Sequence, residues 1–226
     1  MVADHTAPEI DRSVLVLIDV QNDFVSGAAV VDGTAERIDV MARLAAMFRA
    51  ADRPIVHIVR LYVPGGRDVD LPRRAAIEAG AQVAAPNSDG ANIPDVLLPC
   101  AVDLDCESLL AGQTQEVGPN EVVMFKPRWS AFYRTDLDRH LHDQGVTTVV
   151  VAGCNLPNCP RATLFDASER DYRSVLVTDA TSQVTPQRLH DLELIGVHLA
   201  TSTVIEEWLR KTDRVGGTTQ LADRVT

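Results

Sequence analysis

Three side chains able to act together on a carbonyl stand far apart in this chain: Asp19 in LIDVQNDF, Lys126 in VVMFKPRWSAF and Cys159 in VVVAGCNLPNCPRAT. Each falls at or just after the end of an apolar run. A thiol between a strand and the first turn of a helix meets the positive end of the helix dipole, which favours thiolate, and nearby backbone N–H groups could hold an oxyanion. A carboxylate could take the thiol proton and pass it to a leaving amine. A lysine beside it would keep that carboxylate ionised. Taken singly the three mean less: an Asp at a strand end is more often a turn residue, a lysine is mostly solvated, and a free cysteine is mostly a small buried apolar group. Cys154 keeps that bland reading. Cys100 and Cys106 have no motif around them.

The elements that must position these groups alternate along the chain. Residues 14 to 20, VLVLIDV, are nearly continuous in apolar character, as in a strand covered on both faces. Residues 34 to 51 place Ile38, Met41, Leu44, Ala45 and Phe48 at helical spacing. Further strands are predicted at residues 55 to 59, 122 to 125, 146 to 152, 174 to 177 and 197 to 200. Helices are predicted at 137 to 144, closed by Gly145, at 160 or 161 to 170, and at 186 to 195. The stretch from 62 to 106 reads as a long irregular loop with a basic Pro72-Arg73-Arg74 turn, and its length marks it as a functional region flanking the site. Alternation of this kind predicts one domain of three-layer α/β/α architecture, with a mainly parallel, Rossmann-like sheet of about six strands and ligands at the strands' carboxyl ends. A dinucleotide oxidoreductase would need a Gly-rich turn after the first strand, and VQNDFVSG lacks GxGxxG.

The LIDVQNDF, KPRWSAF and AGCNLPNCPRATLFDASERDY segments resemble those of the isochorismatase-like cysteine hydrolases, which include nicotinamidases, N-carbamoylsarcosine amidases and streptothricin hydrolases. The resemblance spans roughly residues 12 to 210, and three ordered motifs are stronger evidence than one. It implies the isochorismatase-like hydrolase fold, with Asp19, Lys126 and Cys159 as the catalytic residues. The implied activity is that of an amidohydrolase opening a C–N amide, ureido or lactam bond of a small molecule through a thioester, streptothricin-type lactams being one candidate. It implies a non-proline cis peptide, by position between Cys154 and Asn155, and an oxyanion held by the amides of Asn155 and Cys159. Phe24, Arg128, Trp129, Phe132, Tyr133 and Arg161 are the substrate-binding candidates, although core packing explains the aromatics almost as well. True isochorismatases share the Asp and Lys but cleave a vinyl ether and commonly lack the thiol, so Cys159 favours the amidohydrolase. A non-catalytic binding member is the remaining alternative.

Nicotinamidases carry an Asp and two histidines near the end of the second strand. Here His57 lies inside that strand and IVRLYVPGG offers no second histidine, so no metal and no cofactor are expected. His57, His140, His142, His190 and His198 read as structural or surface residues. With a formal net charge of -11 over 226 residues, the chain is predicted to avoid nucleic acid and acidic membranes. It carries no secretory signal pattern and only four cysteines, from which a cytoplasmic location with reduced thiols is expected. The resemblance also implies a homodimer or larger homo-oligomer.

Overall fold

The computed structural model describes residues 3–66 and 68–219. Its centre is β1 (Ser13–Ile18), every residue of which is buried. Leu15 and Leu17 point into one hydrophobic cluster, Val14, Val16 and Ile18 into the other, so the period of two fills a core on each face. Each fully buried Val, Leu or Ile of this kind stabilises by about 1.5–3 kcal/mol. Downstream come α1 (Asn22–Val25), α2 (Ile38–Ala50), β2 (Ile55–Val59), α3 (Leu71–Glu78) and α4 (Cys106–Leu110). The second half supplies β3 (Gln115–Gly118), β4 (Glu121–Phe125), α5 (Leu137–Asp143), β5 (Thr148–Gly153), α6 (Cys159–Ser168), β6 (Arg173–Thr181), α7 (Pro186–Glu193), β7 (His198–Ala200) and α8 (Ser202–Thr219).

The sheet has seven strands in the order β3-β4-β2-β1-β5-β6-β7, and β3 alone runs antiparallel to its neighbour. The six parallel strands are those the sequence predicts. The seventh is an addition to that expectation: β3, QEVG, buries only Val117 and carries no apolar run that could announce it. On one face α2 buries Met41, Leu44, Ala45 and Phe48, beside Ile205 and Leu209 of α8. On the other, α5, α6 and α7 contribute Leu137, Leu141, Leu164, Ala167 and Leu192.

The 62 to 106 stretch is more ordered than its composition implies. It holds α3 and two 3-10 turns, Asp89–Ala91 and Asp95–Leu97, and leads into α4. Pro72-Arg73-Arg74 is the first turn of α3 rather than a loop turn, because a proline there has its φ preset and needs no N–H partner. Asp23 ties this segment down: its buried carboxylate accepts from Ala28 N at 2.8 Å and from Ala84 N at 2.7 Å. No described helix is long and apolar enough to cross a membrane.

Candidate active site

The sheet ladder runs on past the strand ends and sets the candidate residues side by side. Asp19 N donates to Ile58 O at 2.8 Å, Lys126 N to Val59 O at 3.0 Å, and Cys154 N to Ile18 O at 2.8 Å. Asp19 sits at φ 54, a left-handed conformation that Asp tolerates better than most residues. Beside it Gly153 has φ +122, and a Cβ there would stand 2.3 Å from Ile18 O. Only glycine lets β5 and β1 approach so closely at this point.

Lys126 is wholly buried, and its Nζ donates to Asp19 Oδ2 at 2.8 Å. The other carboxylate oxygen, Oδ1, is buried without a hydrogen-bond partner. Taking both charges out of water costs several kcal/mol, and the pair holds because each neutralises the other. Cys159 opens α6 and lines the same cavity as Asp19. Burial first, and Asp19's negative charge second, push its thiol up to about 11, against the opposing pull of Lys126 and Arg60. Burial thus opposes the thiolate that the helix end favours, in keeping with the expectation that a carboxylate takes the thiol proton.

The Cys154–Asn155 peptide is cis. Among the described residues neither the Asn155 nor the Cys159 backbone N–H donates to a protein acceptor, so both are open to a ligand. The Asn155 side chain donates to Gln183 Oε1 at 2.7 Å.

Of the residues singled out as substrate contacts, Phe24 and Trp129 line the cavity. Four others are placed elsewhere. Arg128 donates to the Asp68 carboxylate at 2.9 Å and to Pro127 O; Phe132 stacks on Tyr172 at 5.7 Å in the core. Tyr133 is exposed outside the cavity, and Arg161 reaches Asp191 at 3.4 Å while lying over Phe165. Sequence reasoning missed Val31, Arg60, Tyr62, Arg73, Cys154 and Asn158, all of which line the site. Arg60 had a signal: it follows β2 directly, the same strand-end position that marks Asp19 and Lys126.

The cavity is small, about 30 Å³, room for a water or two. Larger hollows exist, one of about 320 Å³ bordered by Asp68, Met124 and Arg134. None of the larger hollows described is lined by a cysteine, and chemistry rather than size locates the site. His57 is committed to a buried network, its Nε2 lying 2.7 Å from Glu121 Oε1. Burial alone would raise the Glu121 carboxyl, but hydrogen bonds from Arg49 and His57 hold it below the usual range. Among the described residues no group of three or more His, Cys, Asp or Glu side chains is placed to hold a metal ion.

A mainly parallel sheet carrying a buried Asp–Lys pair and a thiol at its strand ends matches the fold of the isochorismatase-like hydrolases. The chain belongs to the isochorismatase family, whose domain model matches residues 13–207. A probable inactive nicotinamidase of Arabidopsis thaliana is 32% identical over 207 residues, covering 87% of this chain and 94% of that protein. Ureidoacrylate amidohydrolase RutB of Methylobacterium radiotolerans is 30% identical over 203 residues, 81% of this chain and 72% of its own. The crystal structure of an isochorismatase family protein from Desulfovibrio vulgaris superposes with a TM-score of 0.75 at 32% identity, covering 88% of this chain and 98% of that one.

Proposed function

We propose that this protein is a single-domain cysteine amidohydrolase that opens a non-peptide C–N bond of a small molecule. The observation that carries the reading is the buried Asp19–Lys126 pair, with one carboxylate oxygen unpartnered in a cavity shared with Cys159. In this scheme the substrate carbonyl lies against the open amides of Asn155 and Cys159. Asp19 takes the Cys159 proton as the sulfur bonds to the carbonyl carbon, and the oxyanion rests on the two N–H groups. Collapse breaks the C–N bond, Asp19 hands its proton to the departing nitrogen, and an acyl thioester remains. Water then attacks that carbonyl, Asp19 takes its proton and returns one to sulfur, and a carboxylic acid leaves. Lys126 keeps Asp19 anionic between proton transfers. No step calls for a metal.

The likeness to a ureidoacrylate amidohydrolase and a maleamate amidohydrolase favours a compact linear amide or ureide over a bulky streptothricin-type lactam. The relative named as probably inactive makes a non-catalytic role the reading to exclude. A panel of small amides and ureides, followed by intact mass after rapid quench, tests both. The expected result is an acyl adduct on Cys159 and a loss of kcat by about 10³-fold or more in Cys159→Ala. Turnover undiminished in that variant would overturn the mechanism.

A further inference from the structure

The turn that leaves β6 grips the loop carrying the open amides. Ser182 N donates to Gly153 O at 3.1 Å, and Leu156 N donates to Ser182 O at 3.0 Å. These bonds hold the two ends of the span from 153 to 156, with Asn155 between them. Asn155 O accepts from Asn158 N at 3.0 Å, but that bond lies inside the loop and moves with it. The tie from Asn155 to the turn is made by its side chain, whose Nδ2 donates to Gln183 Oε1 at 2.7 Å.

Gln183 is an unexpected occupant of its place. Its φ of 57 is left-handed, where a glycine or an asparagine sits with less strain. A residue stays in such a conformation where its surroundings over-determine it. Here the backbone carbonyl accepts from Arg188 Nη1 at 2.6 Å, on α7, while the side chain reaches in the other direction to Asn155. Asn155 borders the cavity and Gln183 does not, so any effect of Gln183 on reacting atoms passes through Asn155.

We propose that Gln183 is a positioning residue: by accepting from the Asn155 side chain it fixes the direction of the Asn155 backbone N–H, one of the two donors assigned to the oxyanion. The inference rests on the hydrolase reading for where that oxyanion lies. A donor aimed before reaction stabilises developing charge at no cost of reorganisation. Loss of the Gln183 acceptor therefore weakens the tetrahedral species while leaving the reactivity of the thiol itself intact.

Acetaldehyde and methyl iodide separate those two properties without turnover. When Cys159 adds to acetaldehyde the S–C bond forms, the carbonyl π pair moves to oxygen between the amides, and the thiol proton goes to Asp19. Methylation forms an S–C bond with loss of iodide and sets no oxygen against the amides. Thiohemiacetal formation is followed by NMR with isotope-labelled acetaldehyde, Cys159→Ala assigning the signal, and methylation by peptide mass spectrometry, so that exposed Cys100 does not interfere.

The wild type should bind acetaldehyde at Cys159 more tightly than N-acetylcysteine does. Gln183→Met, which keeps the length and removes the acceptor, should weaken that binding by roughly tenfold or more with the methylation rate unchanged. Gln183→Glu keeps an acceptor and should restore most of the affinity. Asn155→Ala should weaken binding as Gln183→Met does, and combining the two should cost nothing further, because both cut one route. A variant that failed to fold would instead methylate at the rate of a free thiol. Undiminished affinity in Gln183→Met, no recovery in Gln183→Glu, or losses that add in the double variant would overturn the positioning role and leave the hydrolase standing. Wild-type affinity no greater than that of N-acetylcysteine would remove the oxyanion site, and the hydrolase reading and this inference would fall together.

Discussion

Cys159 and Cys154 are two buried thiols lining one cavity, and burial dominates the behaviour of both. Cys154 is pushed up to about 12 and Cys159 to about 11, each by burial first and then by the charge of Asp19. An unfolded cysteine titrates near pH 8.5. The native state therefore keeps protons that the unfolded chain gives up, and the stability this confers is complete below about pH 8.5 and lost as pH rises towards the folded values. Between pH 8 and 10 the wild type should lose on the order of 2 kcal/mol per thiol relative to the Cys154→Ala/Cys159→Ala variant. Urea unfolding of the two proteins across that range measures it, and parallel curves would show that neither sulfur is shielded as described. The same shielding explains why Cys159 was easier to find from sequence than its ionisation state. Its place before Pro160 and after an apolar strand is local information, whereas the pull of Asp19 depends on a strand distant along the chain.

At the level of elements, the β1–β5 seam does the positioning. Gly153→Ala would place a methyl 2.3 Å from Ile18 O on a backbone at φ +122, one residue from Asp19. The expected cost is about 2–4 kcal/mol in urea unfolding, with a fall in kcat as Asp19 shifts from Lys126. A variant of unchanged stability and activity would show that the seam has slack the geometry denies. The six parallel strands were legible because each is an apolar run bounded by turn residues. β3 was not, since an edge strand needs no apolar face to pair with β4. The fate of α3 was hidden for a different reason: proline and two arginines read as a turn until the tether from Asp23 to Ala84 holds the segment in place. Arg128, Phe132, Tyr133 and Arg161 show the limit of proximity in sequence. They surround the motifs along the chain, but helix and turn geometry sends their side chains to Asp68, Tyr172, solvent and Asp191.

For the whole molecule, the hydrolase reading carries an assembly of identical subunits, as closed symmetry is the habit of enzymes of this size. Sedimentation equilibrium should return a mass at least twice the 24.6 kDa of the chain, and a monomer at micromolar concentration would remove that part of the reading. The buried ion pair sets a further condition on how such a protein can change over evolutionary time. Losing Asp19 or Lys126 alone strands its partner's charge in the core, a penalty of about 3–5 kcal/mol against a total stability that is typically 5–15 kcal/mol. Losing the sulfur strands nothing. A lineage drifting away from amide hydrolysis would shed its cysteine first and carry the salt bridge long afterwards, so on the proposed mechanism the acid and lysine without the thiol do not by themselves mark a cysteine amidohydrolase.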